Sequence, residues 1–288
     1  MNTTHIRQVI LLPIIVGLIF SMGIDAALLL QGKSETIHLF MNYYNNRPAA
    51  EFPGYATGSL MISAIFQLIT VILCVISLIK LEFLLNSGAK FLKLGLLAAI
   101  VSLAFYGFSV RMISSHQASA NLFFYGAFLY FVLWYVERQT GVSNPNCLFN
   151  KIKLLPIFFV IFYTMGQPGY NKLFDTDTVM GPYLNMFKDT FLAQLPGGIP
   201  PFIYFLGVCE FIVPILLIVS VVKGEFLPER KKLFFDISMF ITVATFIMLA
   251  FGLKILLNYP GSTNLVFYAI VTLGFYAYAN RTVDYKAS

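Results

Sequence analysis

Charge is scarce in this chain. Asp, Glu, Lys and Arg make up 11% of its 288 residues, where soluble domains carry roughly 25%, and 58% of the residues are hydrophobic. So few charges cannot cover a water-facing surface, which excludes an ordinary soluble domain. Cysteine and histidine are rarer still, at three each. Cys74 and Cys209 fall in apolar runs and Cys147 in a polar linker, without a Cys-x-x-Cys, so an internal thiol-disulfide relay lacks its parts. His5, His38 and His116 lie outside the apolar runs, which removes the intramembrane ligand pair of a b-type haem. His38 and His116 could meet as part of a metal site, but loop histidines are more often plain surface residues; no metal is expected.

What the chain does have is long apolar blocks near the roughly 20 residues that cross a hydrocarbon core. Eight are read, at about 9–30, 59–81, 91–110, 120–136, 152–166, 199–222, 233–257 and 265–279. Unbroken runs of this length satisfy their backbone hydrogen bonds in lipid only as helices, whereas barrel strands would alternate over about ten residues. The expected fold is all-α and polytopic, with eight transmembrane helices in the lipid bilayer.

The chain also repeats itself. At an offset of 143, without a gap, Leu11-Leu12-Pro13-Ile14 aligns with Leu154-Leu155-Pro156-Ile157, Pro53-Gly54 with Pro196-Gly197, and Glu82-Phe83-Leu84 with Glu225-Phe226-Leu227. Near the end of each half, Asn121, Leu122, Phe124 and Tyr125 match Asn264, Leu265, Phe267 and Tyr268. Identities number 28 at this offset, and chance supplies roughly a third of that. Two four-helix repeats are therefore expected, 1–143 and 144–288. Four spans is an even number, so the second copy enters from the same side as the first, giving parallel rather than inverted repeats. The counterpart of the first run is internal, so Val9–Leu30 is read as a span and not as a removable signal.

Lys and Arg then set the orientation. With the N-terminus inside, thirteen of nineteen fall on the cytoplasmic side, and both termini are expected there. The net charge of +6 follows from these short basic loops; they form no stripe, and no nucleic acid partner is expected. Residues 31–58 and 167–198 are read as two long outer loops.

Polar groups at membrane depth are costly unless partnered, and mark candidate sites. Glu210, about ten residues into the sixth helix, is the clearest; Pro214, four residues on, gives the Glu210 carbonyl no amide hydrogen. The expected role of its carboxylate is proton acceptor or head-group contact, with Lys254 reaching inward as partner. Gln67 and Arg111 hold the matching positions in the first repeat, with Asp25 as the expected partner of Arg111. Asn185, Gln167, Tyr163 and Tyr204 complete the ligand-binding candidates. The competing reading is structural, with Glu210 and Gln67 only tying helices together. Tyr and Phe, 46 in all, suit lipid-facing belts better than any chosen pocket.

Residues 152–257 resemble the DoxX-like membrane proteins. The shared features are Met165-Gly166, Lys172-Leu173-Phe174, Gly198-Ile199-Pro200-Pro201, Glu210 and the loop Lys223-Gly224-Glu225-Phe226. The first half departs, with Leu29 at the position of Lys172, Gln67 at that of Glu210 and Thr57-Gly58 in place of the prolines. The resemblance implies a membrane subunit of a quinone-linked redox or thiol-stress system. It would sit in the cell membrane, as in a bacterial inner membrane, and take electrons from a protein partner in a membrane complex. No cofactor is identifiable in the sequence; a quinone is the candidate ligand. The alternatives are a binding or carrier protein for a lipid or isoprenoid, and a structural subunit or assembly factor.

Overall fold

The computed structural model describes residues 9–33, 35, 37–39, 42, 53–85, 88–113, 115–140, 148–227 and 230–281. His5 and Cys147 lie outside them, as do Arg7, Arg47, Glu51 and Lys286 among the charges used for orientation. The described residues contain helices and no strand. Among the described residues ten α-helices run in order: α1 Leu12–Leu30, α2 Pro53–Ile79, α3 Lys90–Met112, α4 His116–Thr140, α5 Leu148–Ile152, α6 Leu155–Phe174, α7 Thr176–Phe187, α8 Pro200–Val222, α9 Leu233–Ile255 and α10 Tyr259–Asn280. Short 3₁₀ turns occupy Glu82–Leu84 and Phe191–Gln194.

Among the described residues seven helical stretches are long and apolar enough to cross a membrane: α1, Gly58–Ile79 of α2, α3, α4, Leu148–Phe174, α8 and α9. The chain is thus of multi-pass membrane type. The eighth expected span exists as a helix, α10, longer than the apolar block read for it. It stands outside the seven; Ser262, Thr263 and Asn264 in its first turns dilute its apolar character. Prolines open α1, α8 and α10, where the missing N–H costs nothing.

Segment 167–198 differs from the expected loop. The helix of the fifth block does not end at Gly166; it carries Pro168 within it and runs on to Phe174, and α7 and the second 3₁₀ turn follow. Proline in a helix interior deletes one backbone hydrogen bond, and the remaining turns hold the helix together. Lys172 therefore lies on a helix, not in a loop, and is buried.

The chain up to Pro156 forms one compact unit and Ile157–Arg281 a second. The junction falls after 143 because α5 and the residue following it are tied to α4. Lys153 Nζ donates to Glu137 Oε1 at 2.8 Å and Asn150 Oδ1 at 2.9 Å, and the Tyr130 hydroxyl donates to the Lys153 carbonyl at 2.7 Å. In the first unit α2 packs on both α1 and α3, and α3 on α4. Hydroxyls join α2 to α3: Ser59 donates to the Phe105 carbonyl at 2.7 Å and meets Ser109 at 2.6 Å, and Ser63 meets Ser102 at 3.0 Å. In the second unit α8 packs on α9 and α9 on α10.

Local geometry recurs 143 residues on. Lys90–Met112 becomes Leu233–Ile255, α2 and α8 end at Ile79 and Val222, and α4 and α10 begin at His116 and Tyr259. After the second helix of each unit a left-handed residue turns the chain, Leu81 (φ 54°) in one and Gly224 (φ 70°) in the other. A buried glutamate then caps the next helix. Glu82 accepts from the N–H groups of Phe91 (3.3 Å) and Leu92 (2.8 Å), and Glu225 from those of Phe234 (3.2 Å) and Phe235 (2.9 Å). Lys80 and Lys223 each sit 4.1 Å from the ring centre of Phe91 and Phe234. The carboxylate meets two of the orphan donors of a helix start and the positive end of its dipole.

Glu225 also accepts from the Ser220 hydroxyl at 2.6 Å. Glu225→Ala is expected to lower stability in detergent by about 2 kcal/mol, the upper range for loss of a helix cap. Glu225→Gln, which keeps one accepting oxygen, should cost less. Equal melting temperatures for Glu225→Ala and the parent would dismiss the cap.

Candidate functional site

Glu210 lies about 15 Å along α8 from its start, at 1.5 Å per residue, and is 1% exposed. Its partner is Lys172 in the last turn of α6, whose Nζ donates to Glu210 Oε2 at 2.5 Å. Two glycines make this approach possible. Gly169 precedes Lys172 by one turn, and a Cβ there would stand 2.7 Å from the Phe211 nitrogen and 3.0 Å from the Glu210 carbonyl carbon. Gly207 precedes Glu210 by one turn, and a Cβ there would stand 2.9 Å from the Cβ of Lys172. Each helix thus sets a glycine against the charged residue of the other. Gly166 lies against Pro214, with 3.5 Å left between an added Cβ and the proline ring.

Residues of α7 and of the turn after it pack beside the pair. The Tyr183 ring centre is 5.9 Å from Lys172 Nζ. Phe187, Leu192, Ile199 and Ile203 form a buried cluster against which Tyr183 and Met180 pack. Phe174 meets Phe211 edge-on at 5.4 Å. The result is a buried ammonium and carboxylate within an apolar, aromatic wall. Two such charges are tolerated in low dielectric because they are paired. Together they offer what an otherwise apolar molecule needs for its polar end: a donor for a carbonyl and an acceptor for a hydroxyl.

The expected pairing of Glu210 with Lys254 is not what the structure shows. Lys254 is exposed in the last turn of α9, its Nζ 4.5 Å from the ring centre of Tyr259, the first residue of α10. Arg111 does the same one unit earlier, its Nη1 donating to Nδ1 of His116, the first residue of α4, at 2.9 Å. Each cation clasps the start of the next helix across a tight turn, which keeps it at the end of its own helix. Asp25, named as partner of Arg111, is exposed on α1.

The remaining candidates scatter. Asn185 is exposed on α7, and Tyr204 is exposed on α8, six residues and so a different face from Glu210. Gln167 is half-buried on α6, and Tyr163 is buried there with its ring against Phe159 at 5.5 Å. His38 is exposed, and among the described residues no three His, Cys, Asp or Glu side chains stand close enough to hold a metal. Gln67 is fully buried on α2, and neither atom of its amide has a hydrogen-bond partner among the described residues.

The sequence named Lys172 within the resemblance but did not pair it with Glu210, because the helix was read as ending at Gly166, before Pro168. The spacing Gly169-x-x-Lys172 against Gly207-x-x-Glu210 was the available signal. The sequence offered no reading of the buried Lys153–Glu137 pair. The offset of 143 places Leu29 opposite Lys172, Gln67 opposite Glu210, Ala26 opposite Gly169 and Ala64 opposite Gly207. Both charges of the pair are thus absent together from the first unit, and all four residues there are buried. No family model, curated protein sequence or solved structure matches this chain.

Proposed function

We propose that this chain is an eight-span membrane protein made by parallel duplication of a four-helix unit, with both termini in the cytoplasm. Its second unit holds the polar end of a small apolar molecule at Lys172–Glu210. In the DoxX-like reading that molecule is a quinone and the chain is the membrane subunit of a quinone-linked redox system. Lys172 would donate a hydrogen bond to a quinone carbonyl, and Glu210 would accept one of the two protons released as a quinol passes two electrons to a partner protein, the second proton leaving to solvent. The observation that carries the proposal is the buried pair itself, formed by two of the four charged residues that the resemblance includes. The recurrence of the cap, the left-handed turn and the helix limits at 143 residues supports the duplication. In the eight-span reading α10 crosses as the counterpart of α4, its 22 residues spanning about 33 Å.

A second reading is structural: the glycines at the α6–α8 crossing suit a lock as well as a site. The two separate on what purifies with the protein. Mass spectrometry of the extracted chain should find a quinone or isoprenoid at near-stoichiometric amount. The variant carrying both Lys172→Leu and Glu210→Gln should lose it while remaining folded. A folded double variant that retains the molecule, or a parent that carries none, leaves only the lock.

A further inference from the structure

We propose that the first unit contains a second site of different chemistry. It is a seam between α2 and α3, centred on Gln67, that takes the neutral hydroxyl or carbonyl end of a membrane-soluble amphiphile. The seam follows from spacing. Ser59, Ser63, Gln67, Thr70, Cys74 and Ser77 recur every three or four residues along α2, so they share one helix face. All six are buried. They span about 27 Å at 1.5 Å per residue, close to the thickness of the hydrocarbon core. Toward the outer end the hydroxyls are consumed by the bonds of Ser59 and Ser63 to α3, and Thr70 donates to its own helix at the Phe66 carbonyl, 2.8 Å away. Toward the other end Cys74 faces Gly95, where an added Cβ would stand 3.2 Å from the sulfur.

Gln67 lies between these contacts. Its amide, one of the most strongly hydrogen-bonding neutral groups in proteins, is enclosed with neither donor nor acceptor met among the described residues. Interhelical adhesion explains the serines but not an amide that bonds to nothing. On α8 the positions of Ser59, Ser63, Thr70 and Cys74 carry Phe202, Leu206, Val213 and Leu217, while those of Gln67 and Ser77 carry the buried Glu210 and Ser220. Four of the six polar positions are thus particular to the first unit, and where Glu210 meets Lys172 in the second unit, Gln67 is left unmet in the first.

The seam's chemistry selects its occupant. It contains hydroxyls, a thiol and an amide but no charge, so an ion entering it would lose its water without gaining a counter-charge. A neutral hydroxyl or carbonyl fits, because the amide supplies both an N–H and a C=O. No hydrogen bond to a described residue would have to break for the Gln67 amide to meet an incoming group.

The probes are three C12 chains bearing a diazirine beside the polar end: an alcohol, a methyl ketone and a carboxylate, photolysed with the full-length protein in lipid nanodiscs. The alcohol, the ketone or both should label α2 or α3 saturably, the two arms distinguishing hydroxyl from carbonyl. Gln67→Leu should reduce that labelling roughly tenfold or more, as for loss of the hydrogen bonds that fix a ligand's polar end. The carboxylate should label weakly. Gln67→Met, unbranched and of similar length, serves if Gln67→Leu fails to fold. The variant carrying both Lys172→Leu and Glu210→Gln should keep the labelling, which separates this site from the one in the second unit. No saturable labelling of α2 or α3, labelling unchanged in the Gln67 variants, or equal labelling by the carboxylate overturns the proposal.

Discussion

Lys172→Leu alone is expected to destabilise the protein by about 3–5 kcal/mol, and Glu210→Gln alone by a similar amount, because each leaves a buried charge without its partner. Combining the two should cost less than either. The reason lies in the first unit, which carries Leu29 and Gln67 at the corresponding positions and buries both. Leucine and glutamine are thus a combination this helix crossing accommodates, whereas leucine with glutamate is not. A cycle of both single variants and the double variant, read by thermal unfolding in detergent, measures the coupling. Additive losses would mean that the 2.5 Å contact contributes nothing to the stability of the unit.

The second large effect is expected at Gly169. Its added Cβ would press on backbone atoms of α8, the Phe211 nitrogen at 2.7 Å and the Glu210 carbonyl carbon at 3.0 Å, and backbone cannot rotate away. Gly169→Ala must therefore push α6 from α8. The overpacking costs about 1–3 kcal/mol, and it also lengthens the Lys172–Glu210 contact, so loss of any bound molecule should accompany the loss of stability. Gly274→Ala in α10 is the control. No heavy atom lies within 4 Å of its added Cβ, and alanine is the better helix former, so a gain of up to about 1 kcal/mol is expected. Melting temperatures of the two variants check the contrast. If Gly169→Ala melts with the parent, the helices are not held in the close approach described above.

Much of the fold could be read from residue chemistry alone, since the apolar runs that lipid demands are long; each expected block has its helix, although α2 and α10 begin at Pro53 and Tyr259, well before the expected 59 and 265. The error was local. Gly166-Gln167-Pro168-Gly169 has the composition of a helix end, but the single hydrogen bond that proline deletes does not stop a helix held by packing on both sides. That misreading moved Lys172 into a loop and left Lys254 as the nearest cation for Glu210. Glu210 itself was legible because a carboxylate at membrane depth is costly; its partner was not, because partnership depends on how closely two helices approach. That distance is set by Gly169 and Gly207, whose role appears only when the helices are paired. The buried state of Glu137 and Lys153 was illegible for a similar reason: nothing in a helix-end charge says whether a short helix will fold back over it.

The proposed parallel duplication is tested most directly by single cysteines placed in pairs 143 residues apart, in a background lacking Cys74, Cys147 and Cys209. Suitable pairs are Gly88 with Lys231, Ser115 with Asn258, and Arg138 with Arg281. With a membrane-impermeant maleimide on intact cells, cysteines at 115 and 258 should label, and those at 88, 231, 138 and 281 only after permeabilisation. Labelling of the two members of any pair from opposite sides would contradict the parallel duplication, and exposure of 281 to the outside would show that α10 does not cross.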